Sequence, residues 1–120
     1  MNKINSINFI EFPAQDVEAL NAAKKFYEQV FEWSFKDWGD DYADTTSSGL
    51  DCGFNADPSH RPHQPLAVIY VTDLEAACKK VKKSGGKITK AIFSFPGGRR
   101  FHFQDPAGNE IGRASCRERV

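Results

Sequence analysis

Two short stretches of this 120-residue chain carry side chains able to do chemistry. In Arg100-Phe101-His102-Phe103-Gln104 the aromatic and polar residues alternate, so an extended strand sends the two sets to opposite faces. If the phenylalanines pack beneath a helix, Arg100 and His102 look into a cleft. Arg100 then offers a planar fork to a carboxylate or phosphate, and His102 is a ligand contact or a carrier of a proton. The alternative is a solvated strand face with cross-strand pairs. In the second stretch Glu11 lies two residues after Phe9, which places both on one strand face. In an aromatic pocket, a desolvated Glu11 is a base or a cation partner; otherwise it is a strand-end glutamate paired with Lys or Arg. Tyr70 shares a face with Leu66 and Val68 and reads either as a ligand anchor over an apolar floor or as a rim residue with its hydroxyl in water.

Other reactive types read as structural. His60 and His63 form an HxxH within a proline-broken segment, with no second pair and no helix to fix their geometry, so they read as surface loop. Cys52, between Asp51 and Gly53, reads as a small buried filler, and Cys78 falls on an apolar helical stripe. Lys79, Lys80, Lys82 and Lys83 form a solvated helix face. Gly97-Gly98 is too short for a phosphate loop and marks a hairpin turn.

The elements that must position these residues come as a repeat. Asp16-Val17-Glu18-Ala19 returns 57 positions later as Asp73-Leu74-Glu75-Ala76. Each copy follows an extended segment, 7–12 or 66–71, and each Asp sits where a helix N-cap belongs. The first helix shows Val17, Leu20, Ala23, Tyr27, Val30 and Phe31 on one face; the second shows Leu74, Ala77, Cys78 and Val81 and stops at Gly85-Gly86. Short extended pieces follow each helix: 33–37, 42–46 and 50–54, then 87–95, 99–104 and a piece after Asn109. Pro96-Gly97-Gly98 and Asp105-Pro106-Ala107-Gly108-Asn109 supply the later turns. Strand, helix and three strands, twice, predicts an α+β fold in which each half buries one sheet face under its helix and needs its partner half or a ligand on the other.

Composition sets the outer bounds. The chain is long enough for one domain with one core. Sixteen basic and sixteen acidic residues cancel, which gives no electrostatic reason to expect nucleic acid or an anionic membrane. No apolar run spans a bilayer and no signal-peptide core follows Met1, so a cytoplasmic location is the default expectation. Three cysteines form no paired framework, and ten phenylalanines provide a stiff aromatic interior. Residues 111–120, IGRASCRERV, lack both strand and helix periodicity, and back-translate to a common short-read sequencing adaptor. They are read as a non-native tail, leaving 1–110 as the domain, with modules of about 4–55 and 65–110. Without the tail, 13 basic and 15 acidic residues leave a net charge of −2.

Over about residues 4–110 the pattern resembles the vicinal oxygen chelate superfamily, which includes glyoxalase I, bleomycin-resistance proteins and extradiol dioxygenases. The resemblance rests on INFIEFPAQDVEALNAAKKFYEQVFEW at the start and FSFPGGRRFHFQDPAGNE near the end. It implies two βαβββ modules paired into a cupped, incomplete mixed barrel with the helices outside and a ligand or divalent metal within. The superfamily's first metal ligand is usually a His seven residues before the capping Asp; here that position holds Phe9, and its counterpart in the second half holds Leu66. Neither has a lone pair to donate. The last ligand is usually a Glu on the final strand, which here falls in the tail. The resemblance therefore implies a protein binding a small, partly apolar molecule in a cleft floored by Phe9 and Leu66. That molecule would carry an anionic or carbonyl group near Arg100 and His102. The alternative is a metal-dependent lyase, isomerase or dioxygenase with a ligand set the sequence does not display. A homodimer is expected, because sheet edges in such small folds are often covered by a second copy.

Overall fold

The computed structural model describes residues 3–95 and 98–116, without the side chains of Phe95 and of 113–116. The expected turn at Pro96-Gly97, and Arg117 and Arg119 of the tail, lie outside the described residues. The elements are β1 (Ile7–Pro13), α1 (Val17–Phe31), β2 (Lys36–Asp37), β3 (Tyr42–Thr45), β4 (Asp51–Asn55), β5 (Leu66–Tyr70), α2 (Leu74–Lys83), β6 (Lys87–Phe95), β7 (Gly98–Gln104) and β8 (Glu110–Cys116). The class is α+β, with a strand, a helix and three strands occurring twice. By internal contacts the chain divides into two compact units, residues 9–66 and residues 1–8 with 67–120.

In the unit of residues 9–66 the strand order is β2-β3-β4-β1, with β1 parallel to β4 and the other pairs antiparallel. Asp16 caps α1 by accepting from the Ala19 amide at 2.8 Å, as its position before the apolar stripe predicts. Leu20 is buried on the sheet with Ala19, Ala23 and Tyr27 around it, against Ile10, Phe12, Ala43, Cys52 and Phe54. The expected stripe is only half used: Val17, Val30 and Phe31 are exposed.

In the other unit the order is β5-β8-β7-β6, with β5 parallel to β8 and the rest antiparallel. Asp73 caps α2 through the Ala76 amide at 3.0 Å. Leu74, Ala77 and Val81 are buried with Val71 and Phe101, and Cys78, Ile69, Ile88, Ile92 and Phe103 pack around them. The helix ends at the expected glycines, Gly85 at φ +95° and the Gly86 amide returning to the Val81 carbonyl at 2.9 Å. Asp105 then ties the next turn by accepting from the amides of Ala107 and Asn109, both at 2.9 Å.

The stretch after Asn109 departs from its sequence reading. Residues 111–116 show no apolar alternation, yet they form β8 together with Glu110 and sit between β5 and β7. A strand flanked on both sides is held by backbone hydrogen bonds, which do not depend on side-chain pattern.

Candidate functional site

Alternation assigns the faces of the β2-β3-β4-β1 sheet. Ile10, Phe12, Ala43, Cys52 and Phe54 lie under α1, so Phe9, Glu11, Tyr42, Asp44, Asp51, Gly53 and Asn55 point the other way. Register brings Glu11 beside Gly53 and Tyr42 beside Asn55. Glu11 is buried, and the Asn55 side-chain amide donates to its Oε2 at 3.0 Å. The Asn55 Oδ1 in turn accepts from the Asp57 amide at 2.8 Å. Glu11 is thus a buried carboxylate with one oxygen bound by the Asn55 amide. A Cβ on Gly53 would strike the Tyr42 hydroxyl and come within 2.7 Å of Phe9 Cζ, so both rings lie over that glycine. Phe9 therefore shares its face with Glu11, as expected. Cys52 is buried on the α1 side, and Asp51 is exposed. His60 is exposed with its Nδ1 2.9 Å from Asp57 Oδ2, and His63 is exposed in the loop. Leu66 is buried at the start of β5.

The second cluster belongs to the β5-β8-β7-β6 sheet. Phe101 is completely buried beneath α2 and Phe103 packs beside it, so Arg100 and His102 occupy the opposite face. Register places Val68, Gly112 and His102 in one row across three strands, and Tyr70 in the row of Arg100. Two register shifts in β6 then set Lys90 opposite His102 and Phe93 opposite Arg100. The Phe93 ring becomes the centre of the cluster. His102 meets it edge-on with centroids 5.7 Å apart, Lys90 Nζ lies 4.7 Å from its centroid, and Arg100 Cζ lies 5.8 Å away. Arg100 and His102 are 6% and 4% exposed. His102 Nδ1 stands 3.5 Å from Glu110 Oε2, an oxygen that also accepts from the Thr89 hydroxyl at 3.1 Å. His102 Nε2 is buried and has no hydrogen-bond partner among the described residues.

Burial, and then the cations Arg100 and Lys90, push the His102 imidazole down to about 3 from its ordinary 6.5. It is neutral at neutral pH. The unfolded chain takes up this proton near 6.5 and the folded one near 3, so the contribution is intact above pH 6.5 and drains as pH falls between those values. The denaturation midpoint of the wild type is expected to drop already between pH 6.5 and about 5, above the carboxylate range. His102→Gln should flatten that part of the profile; an unchanged slope in the variant contradicts the assignment.

Sequence reasoning found Glu11, Arg100 and His102 but not Asn55, Tyr42, Lys90, Phe93 or Glu110. The alternation of Asp51, Gly53 and Asn55 along β4 was an available signal for Asn55. Lys90 and Phe93 have odd spacing in β6, and only the register shifts place them on one face. A divalent cation of the kind the resemblance implies does not fit these residues. Phe9 and Leu66 offer hydrocarbon where ligands are needed, and the described residues include no group of three or more His, Cys, Asp or Glu able to hold a metal.

The model of the Glyoxalase/Bleomycin resistance protein/Dioxygenase superfamily matches residues 6–112. No curated protein sequence matches the chain. Among solved structures, one described as an NAD-dependent benzaldehyde dehydrogenase from Legionella pneumophila superposes with a TM-score of 0.73 at 12% identity, covering 91% of this chain and 98% of that one. A glyoxalase/bleomycin resistance protein/dioxygenase superfamily member from Vibrio splendidus 12B01 gives 0.67 at 20% identity, covering 89% and 96%. Methylmalonyl-CoA epimerase from Mycobacterium tuberculosis gives 0.66 at 14% identity, covering 98% and 92%. At these identities the likeness is one of fold.

Proposed function

Because the chain belongs to the glyoxalase/bleomycin resistance protein/dioxygenase superfamily, we propose that it binds a small, partly apolar molecule through an acidic group on the Arg100–His102 face. The observation that carries this reading is the buried Arg100 guanidinium beside the buried His102 imidazole, both against the Phe93 ring, with His102 Nε2 lacking a hydrogen-bond partner among the described residues. Buried polar atoms are ordinarily satisfied, and a polar group on a bound molecule would satisfy His102 Nε2. Arg100 holds the carboxylate, Phe93 and Val68 take the apolar part, and Tyr70 is a flanking contact. In the other unit Glu11, held by Asn55 and sharing its face with Phe9, is proposed as a base or cation partner. Leu66 is proposed as an apolar contact. The metal-dependent alternative needs donors that Phe9 and Leu66 lack. Residues 111–120 are proposed to be foreign in sequence, with 111–116 nonetheless completing the sheet as β8.

The test is a binding screen of small aromatic and aliphatic carboxylates by ligand-observed NMR, with Arg100→Gln alongside. Carboxylates that bind the wild type are expected to bind the variant about 10- to 100-fold more weakly, the size of a charged hydrogen-bonded contact. Equal affinity for both proteins would remove Arg100 from the reading.

A further inference from the structure

Charge cancels over the whole chain but not within its two units. Residues 9–66 carry eleven acidic and four basic side chains, a net charge of −7. Residues 1–8 with 67–120 carry five acidic and twelve basic, a net charge of +7; without residues 111–120 they carry four and nine, a net +5. We infer that a second copy of this chain docks through the two surfaces that concentrate these charges: the lysine face of α2 in one copy meets the C-terminal end of α1 in the other.

Basic charge covers the solvent side of α2. Leu74, Ala77 and Val81 turn into the core, which leaves Lys79, Lys80, Lys82 and Lys83 exposed, with Lys87 just past the helix. None of these five side chains makes an ion pair or hydrogen bond among the described residues. The one carboxylate within α2, Glu75, is held by the Arg99 guanidinium at 2.9 and 3.3 Å and neutralises none of them.

The end of α1 has the opposite character. Its last turn holds no basic residue, although the helix dipole already makes that end negative. Glu28 and Glu32 are exposed there and add to the negative charge. Of the two helix lysines further back, Lys24 is taken by Asp37 at 2.6 Å and Lys25 stands exposed. On the same stretch Phe26, Val30 and Phe31 are 54%, 52% and 57% exposed. Both phenylalanine rings rest on Tyr27, at 5.1 and 6.1 Å between centroids, and Tyr27 in turn packs on Trp33 and the buried Phe54. The rings are therefore fixed before anything docks, which lowers the entropy lost on docking. Exposed rings bordered by carboxylates suit lysine: the four-carbon stem lies along a ring while the ammonium reaches a carboxylate beyond it. A long polyanion is a poorer fit to the lysine face, because the near-zero net charge gives it no pull at range. A second copy offers opposite charge to both units. Exposed charges are screened by salt, so the association strengthens as ionic strength falls.

Sedimentation velocity on the full chain tests this at high protein concentration, in about 20 mM and about 500 mM salt. The wild type is expected to associate at low salt and to sediment as a monomer at high salt. One variant combines Lys79→Glu with Lys83→Glu, and another combines Glu28→Lys with Glu32→Lys. Each alone should be monomeric at both salt concentrations. Mixed in equal amounts they should associate again at low salt, because each now carries the charge that the other has lost. Recovery in the mixture also shows that both variants are folded. Should circular dichroism show either to be unfolded, Lys79→Gln with Lys83→Gln decides: it removes charge without reversing it and should weaken low-salt association at least about fivefold. A wild type that is monomeric at low salt, a charge-reversed variant that associates alone as well as the wild type, or a folded pair that stays monomeric when mixed overturns the inference. A monomeric wild type that retards a DNA duplex at low salt also overturns it and gives the lysine face to a polyanion.

Discussion

A chain ending at Glu110 is expected to lose the cooperative unfolding of its β5-β8-β7-β6 sheet. β8 pairs along Ala67 to Tyr70 on one side and along Gly98 to Gln104 on the other. Without it β5 and β7 have no shared neighbour, and the rows containing Arg100 and His102 lose their middle strand. The domain-scale margin is about 5–15 kcal/mol, and removal of an interior strand consumes most of it. Hydrogen exchange is the decisive measurement. Amides of β5 and β7 should exchange at nearly unprotected rates in the shortened chain, whereas β3 and β4, paired within residues 9–66, should keep more of their protection. Retained protection in β7 would show that the strand is dispensable. The identity of residues 111–116 matters less than their presence, because backbone groups make the ladder.

The second large effect belongs to Phe101. Its side chain is completely buried against Leu74, Ala77, Val81 and Val71. Phe101→Ala removes that packing and leaves a cavity under α2, at a cost of about 3–5 kcal/mol. Urea unfolding followed by circular dichroism should show this as a lowered midpoint with little change in slope. Ligand affinity should fall with it, because the same strand presents Arg100 and His102 on its other face. A conservative Phe101→Leu should recover a large part of both. A loss below about 1 kcal/mol would mean that α2 is held mainly by its other contacts.

What could be read in the sequence was local. The duplicated Asp caps at Asp16 and Asp73 fix where each helix starts, and the Phe101/Phe103 alternation fixes which way Arg100 and His102 face. Phe9 and Glu11 follow from the same rule of two. What could not be read depends on partners far along the chain. Asn55 reaches Glu11 only through the parallel register of β1 and β4. Lys90 and Phe93 reach His102 and Arg100 only through shifts in the β6–β7 ladder. The exposure of Val17, Val30 and Phe31 depends on which part of α1 meets the sheet, which no helical stripe encodes. β8 was legible only as the third strand the second module requires: Gly112, Arg113, Ala114 and Ser115 carry no strand signature, and the flanking ladders form the strand without one.

The slipped register of β6 also separates two demands that usually conflict. Ile88 and Ile92 stay with the α2 core, while Lys90 and Phe93 turn away toward His102 and Arg100. β6 closes the strand order of its unit, so a residue gained or lost there need not propagate into β7. Small insertions and deletions along this border can exchange the groups set against His102 and Arg100 while leaving the interior scaffold intact.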